Sequence, residues 1–444
     1  MEKHNIAFFI YHLDPANGGT ERVTYKVSSE LSKIGYNPYY IFCEHDSDLI
    51  PQGKKLKIIP NDRSNSLLEE ISKFLNDNGI GVLIIVNQSL QTHKWQKIYE
   101  EIKKRNEIKY IACLHASPDN WKKEDKLSLT LPKIYLKSRL KRYLCYFYNR
   151  NKEKSVGMYN IADKFLLLSD KYIFPFQKTF HIDDSKKHKL FAIPNPCPFK
   201  DGYDGTKREN VVLICSRMAE IQKRIYMALK IWKVIYKHTD GWILRIVGDG
   251  PQLEDYKSYC NQHSLKNVEF VGHSNNVQQY YKSSKIFMMT SIWEGQPMSL
   301  IEAMHYGCVP IAIDSFESIH DLIIDGQNGV LCRFNDLRDF SEKLRFLLQH
   351  PNVVEKYSSY ILNNPIKYFE LESILNKWDA VLRSLLKMPS RVLVTSKNES
   401  SICKFLTIKD KLTDRGGVIG LYPRINIYDN QNDDSSIYLI RMAV

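Results

Sequence analysis

Two carboxylates, Glu294 and Glu302, stand eight positions apart in SIWEGQPMSLIEAMHYGCVPIAID (291–314). Apolar residues flank them, and Gly295, Pro297 and Gly307 punctuate the run. An ionised carboxylate offers two acceptor oxygens, a match for the vicinal hydroxyls of a ribose or another sugar. Pro297 fits the first turn of a helix that Gly307 closes. Glu294 and Gly295 then fall in the preceding loop and Glu302 in the second turn. The amides of Gln296, Met298 and Ser299 at the helix start are open to an anion. A plain loop acid with an ordinary helix glutamate is the competing reading, and the Gly, Pro and apolar flanks speak against it.

A second constellation is cationic. CSRMAEIQKR (215–224) follows an apolar run and places Arg217 and Lys223 six apart across a loop. Arginine supplies forked donors and lysine a point charge, so both suit a polyanion. Without context, two solvated surface cations is the simpler reading. A third stretch, DPANGGTERV (14–23), opens a helix directly after the first apolar run. Gly18 and Gly19 let backbone amides approach a ligand, and the helix start offers free N–H groups. The stretch is neither a G-x-G-x-x-G nor a Walker A loop, and a plain strand–helix turn reads it equally well. VGDGP (247–251), with Gly248, is a tight turn at another strand end, and CLHAS (113–117) carries His115 at a further one.

These residues need a scaffold that gathers strand ends. NIAFFIYHL (5–13), PYYIFCE (38–44), GVLIIVN (81–87), IKYIACLH (108–115) and KFLLLS (164–169) are apolar throughout rather than alternating. Such runs predict parallel strands buried on both faces. Helix-period segments such as 21–35 and 66–79 lie between them, giving a chain of βα units. IPNPCPFKDGYDGTKREN (193–210) breaks the pattern and reads as a linker. Alternation restarts with runs at 211–218, 242–250, 268–273, 286–291, 309–314 and 329–332, then helical segments near 336–349, 352–362 and 366–387. The expected organisation is an α/β chain with an N-terminal domain (1–195), a C-terminal domain (196–365), a helix returning to the first domain (366–387) and an extension (388–444). Three short strands are expected in that extension, which has no assignable role.

With 444 residues, the chain can bury more than one core. Its composition, 43% hydrophobic and 25% charged, is that of a globular protein. The net charge of +13 favours anionic partners. Nine scattered cysteines with no C-x-x-C argue against a disulfide framework or a zinc site and fit a reducing cytosol. The N-terminal apolar run is too short for a signal peptide, and no run is long enough to span a membrane. No zinc finger, RNP motif or basic-region heptad occurs, so nucleic acid is not expected as a partner.

Much of the positive charge falls in 121–154, where lysines and arginines interleave with Leu, Ile, Tyr and Phe. A basic, aromatic-rich amphipathic helix can lie on an anionic membrane surface. A solvated helical hairpin packed on the domain is the alternative.

Together, the motifs resemble those of family 4 of the retaining, GT-B-fold glycosyltransferases, the "group 1" class. The resemblance covers about 5–385 and rests on GGTERV, CLHAS, IPNP, the pair Arg217 and Lys223, VGDGP, FVGH and EGQPMSLIEAM in order. It implies two facing Rossmann-like domains with a cleft, the first binding acceptor and the second a nucleotide-sugar donor. Arg217 and Lys223 would hold the donor diphosphate, Glu302 the ribose and Glu294 the donor sugar. Amides around Met298 and Ser299 would meet phosphate or sugar. Gly18 and Gly19 would let the first domain close on the diphosphate, and His115 would line the pocket. No metal and no cofactor is implied for the chemistry. The donor would be a UDP-sugar before other nucleotides. The acceptor would be a glycan or lipid-linked glycan in bacterial capsule, O-antigen or exopolysaccharide synthesis. The enzyme would be cytoplasmic, or peripheral on the inner membrane face. The alternatives are a silent GT-B protein that binds nucleotide sugar and a nucleotide-sugar epimerase. One departure stands out: Arg224 follows Lys223 where many members carry glycine.

Overall fold

The computed structural model describes residues 4–59, 65–105, 107–118, 150–239, 241–365, 369–389, 391–395, 425–428 and 437–442. The basic segment 121–154 lies outside them except for its last five residues, which open the helix Arg150–Ile161.

Seven strands form the first sheet: β1 (His4–His12), β2 (Tyr36–Glu44), β3 (Lys55–Lys57), β4 (Val82–Ile85), β5 (Lys109–Leu114), β6 (Lys164–Leu167) and β7 (Leu190–Ala192). All pair in parallel, in the order β3-β2-β1-β4-β5-β6-β7. Ile6 to Ile10 are buried on alternate faces of the sheet. One face packs on residues of the helices Asn65–Asp77, His93–Arg105 and Ile173–Phe180. The other meets Gly19–Lys33 and the late helix Leu371–Leu385, which inserts Ile374, Leu375, Trp378 and Leu382. Tyr36 fixes this late helix by donating to Asp379 Oδ1 at 2.8 Å.

After an irregular stretch, a second parallel sheet forms from β8 (Glu209–Cys215), β9 (Ile243–Val247), β10 (Val268–Gly272), β11 (Ser284–Met289), β12 (Val309–Ile313) and β13 (Val330–Cys332). Its order is β10-β9-β8-β11-β12-β13. The architecture is GT-B: two Rossmann-like α/β layers brought together. The edge strands β3 and β7 were not expected from sequence, because three residues carry too little apolar pattern to register. The extension contributes β14 (Arg391–Thr395), β15 (Ile425–Tyr428) and β16 (Ile437–Met442), antiparallel in the order β14-β16-β15.

Each parallel sheet reverses its strand order once, at β1/β4 and at β8/β11. Loops leaving the carboxyl ends of strands at such a switch point diverge and leave a crevice. The Gly18–Gly19 loop follows β1. The Arg217 loop follows β8 and the Glu294 loop follows β11. These three motif loops therefore leave from the two switch points, whereas His115 follows β5 and Gly248 follows β9.

Candidate functional site

The loop after β8 is held by its neighbour after β9. Met218 N–H donates to the Asp249 carbonyl at 2.8 Å, and Ser216 N–H to that of Val247 at 3.0 Å. Gly248 has φ 131 and lies directly on the Ser216 carbonyl, where a Cβ would collide. Its glycine is thus required by the turn that supports Arg217. The Arg217 side chain is exposed and makes no hydrogen bond or ion pair with any described residue.

The short helix Glu220–Lys223 ends at Arg224, whose φ 52 and ψ 48 are left-handed. A new helix, Ile225–Ile235, starts from that residue. The left-handed turn explains why glycine suits this position, since a side chain there is strained. The Thr290 hydroxyl donates to the Lys223 carbonyl at 2.7 Å, and Ile292 N–H donates to that of Gln222 at 3.0 Å. The cationic segment is thereby stitched to the loop after β11.

That stitching sets Lys223 Nζ 2.6 Å from Glu294 Oε1. Gln222 Nε2 donates to the other Glu294 oxygen at 3.1 Å. Both members of the ion pair are largely buried. Glu302, in the helix Met298–His305, is buried too. Tyr281 donates to its Oε2 at 2.9 Å, and Arg22 approaches its Oε1 at 2.8 Å. Burial raises the Glu302 pKa, and Arg22 and Tyr281 work against the rise. Glu294 and Glu302 thus occupy different settings despite their shared motif.

Sequence reasoning missed Arg22 and Tyr281. Arg22 carried a faint signal: a cation in the first turn of a helix opposes the macrodipole and needs a reason. Tyr281 carried none, because a buried tyrosine looks like core.

The loop 294–296 also docks on the first sheet's domain. Tyr172 donates to the Glu294 carbonyl at 2.7 Å. Gln296 brackets the Asn195 backbone, accepting from its N–H at 2.6 Å and donating to its carbonyl at 3.0 Å. Gly295 lies on the His115 carbonyl so closely that a Cβ would collide. The Gln296 side chain is therefore committed to the domain contact. The Met298 amide, expected to be open to an anion, donates to the Gln296 carbonyl at 3.0 Å because the loop turns tightly there. Pro297 stands just ahead of the helix as its cap, and Ser299 is in its first turn.

His115 faces a small, mainly apolar cavity with Phe8, Val23, Val27, Asn195 and Trp378. Burial lowers its pKa to about 4, so the ring is neutral near pH 7. Gly18 is extended and packs against the Glu21 carboxylate, where a Cβ would lie 2.6 Å from Oε2. Gly19 begins the helix that carries Arg22.

Residues 202–364 match the family model of the glycosyl transferases group 1. The chain is 23% identical over 392 residues to an uncharacterized glycosyltransferase of Haemophilus influenzae, covering 85% of this chain and 99% of that one. It is 27% identical over 383 residues to the amylovoran biosynthesis glycosyltransferase AmsD of Erwinia amylovora, covering 82% and 96%. Among solved structures, Anabaena HepE in complex with UDP and glucose superposes with a TM-score of 0.64 at 13% identity, over 86% of this chain and 100% of that one. The fold is that of the GT-B proteins, and both sequence relatives are glycosyltransferases by name.

Proposed function

We propose that the protein transfers a glycosyl group from a nucleotide-diphosphate sugar to a hydroxyl of a glycan or lipid-linked glycan, with retention at the anomeric carbon. The observation that carries this reading is the set of charged side chains beyond β11, where Lys223 pairs with Glu294 and Glu302 meets Arg22 of the helix that starts at Gly19. Lys223, released from Glu294, and Arg217, already free, would bind the diphosphate and offset the charge that builds on the leaving nucleotide. Glu302 would accept from ribose hydroxyls and Glu294 from the donor sugar. The HepE complex with UDP and glucose favours a uridine donor of the hexose class. The AmsD likeness favours polysaccharide assembly as the setting. Protein groups alone would supply the chemistry, without metal.

Among the described residues no helix is long and apolar enough to cross a membrane. The basic segment 121–154 would instead bring the enzyme to an anionic surface bearing a lipid-linked acceptor, and flotation with acidic liposomes tests this.

The deciding experiment is a thermal-shift panel of UDP-, GDP- and ADP-sugars on the wild type, Glu302→Ala and Arg217→Ala, because a ligand of the native state raises Tm. One nucleotide class should stabilise the wild type and neither variant. No shift at millimolar sugar nucleotide would overturn the donor assignment. Lys223→Ala should lower transfer by about 100- to 1000-fold in kcat, the range for losing one preorganised charge-stabilising donor.

A further inference from the structure

The carboxyl edge of the first sheet carries a group of side chains that the transferase reading does not use. His12 ends β1 and Glu44 ends β2, and the parallel register sets these two residues side by side. His45 follows with φ 48, a left-handed turn, and its ring lies 4.7 Å from the His12 ring between centroids. Its carbonyl accepts from Leu13 N–H at 3.0 Å and Asp14 N–H at 2.9 Å, so the turn is pinned by the start of the loop leading to Gly18. His12 Nδ1 and His45 Nδ1 lie 2.8 Å apart. His12 Nδ1 is 3.7 Å from Glu44 Oε2. One ligand atom from each of the three residues falls within 4.8 Å of the other two.

We propose that His12, Glu44 and His45 bind a divalent transition-metal ion, zinc foremost. Metal–nitrogen and metal–oxygen bonds of about 2.0–2.2 Å in tetrahedral geometry put neighbouring ligand atoms roughly 3.3–3.5 Å apart. Two of the three ligand pairs, at 2.8 and 3.7 Å, bracket that spacing, and the third lies within 4.8 Å. Two imidazole nitrogens and one carboxylate oxygen favour zinc over magnesium or calcium, which prefer all-oxygen shells. The Tyr11 hydroxyl donates to Glu44 Oε1 at 3.2 Å and orients the carboxylate from outside, as outer partners of metal ligands do. Three protein ligands on an exposed edge leave a fourth position for water or for an oxygen of an anionic ligand. The group shares no residue with Lys223, Glu294 and Glu302, and the proposal assigns it no step in glycosyl transfer.

The test uses the full chain after dialysis against EDTA. Zinc is titrated by calorimetry and cobalt(II) by visible absorption, for the wild type, His12→Ala, His45→Ala and the double variant, with circular dichroism to verify the fold. The expected result is one ion per wild-type chain, a cobalt spectrum without thiolate charge transfer, and affinity weakened at least about 100-fold in either single variant. Equal affinity in the double variant, a thiolate band, or no binding up to millimolar metal would overturn the proposal and leave a hydrogen-bonded imidazole pair only.

Discussion

Burial raises the pKa of Glu302 above the usual carboxylate value, with Arg22 and Tyr281 only partly opposing it. The folded chain then holds this proton more tightly than the unfolded chain. Its stabilising contribution is present in acid and is lost as pH rises through the folded pKa. Glu302→Gln removes that loss. Its Tm should therefore exceed the wild type's by a margin that widens from acid to neutral pH, while the nucleotide-sugar shift disappears. A margin independent of pH, read by calorimetry, would contradict the account. His115 works in the opposite sense. Its pKa falls from 6.5 to about 4 on folding, so its contribution is complete above 6.5 and is lost as pH drops toward 4. His115→Asn should flatten the fall of Tm across that window. A ring that stays neutral at pH 7 can bind a hydroxyl but brings no charge to the cleft.

At the scale of elements, the break at Arg224 aims Lys223. One helix ends and the next begins at a single left-handed residue, and the Thr290 hydroxyl reaches the carbonyls of both Lys223 and Arg224. Arg224 Nη2 donates to Asn335 Oδ1 at 2.9 Å, whereas Nη1 is buried with no hydrogen-bond partner among the described residues. The side chain thus adds little to offset the backbone strain. Arg224→Gly should keep or raise Tm. Arg224→Ala should be less stable than the glycine variant by about 1–2 kcal/mol, the usual penalty for a side chain in this region. Denaturant unfolding of the pair measures the difference. Transfer activity should survive in the glycine variant because the Thr290 contacts are to backbone.

For the whole molecule, the decisive contact is the loop 294–296 seated on the first domain. Gln296 satisfies both polar groups of the buried Asn195 backbone. Truncation to Ala strands them, at a cost of about 1–3 kcal/mol. Gln296→Ala should lower Tm and, by loosening the domain contact, increase the radius of gyration in small-angle scattering. An unchanged radius with a lowered Tm would mean that other contacts, among them Tyr172 to Glu294 and Ser318, Lys171 to Asp321 and Arg22 to Glu302, suffice to hold the domains. Arg22 joins the domains at the Glu302 carboxylate proposed to hold the donor, so donor entry and domain contact share that side chain, whereas Tyr172 takes the Glu294 carbonyl.

Much of this was legible in the chain itself. Runs such as AFFIY and VLIIV are apolar at every position, and only a strand covered on both faces can bury them, so two parallel α/β layers followed from sequence. The glycines at 18, 19 and 248 and the break at Pro297 marked where strands hand over to helices. Order along the chain could not say which loops meet. Lys223 and Glu294 are neighbours only because β8 and β11 pair across a reversal of strand order. Arg22 reaches Glu302 only because the domains of two separate sheets meet. Gln296, which reads as a loop residue beside a helix start, spends its side chain on a backbone 101 residues away. Local periodicity determines the elements, whereas long-range pairing and burial decide which charges meet and which protons they hold.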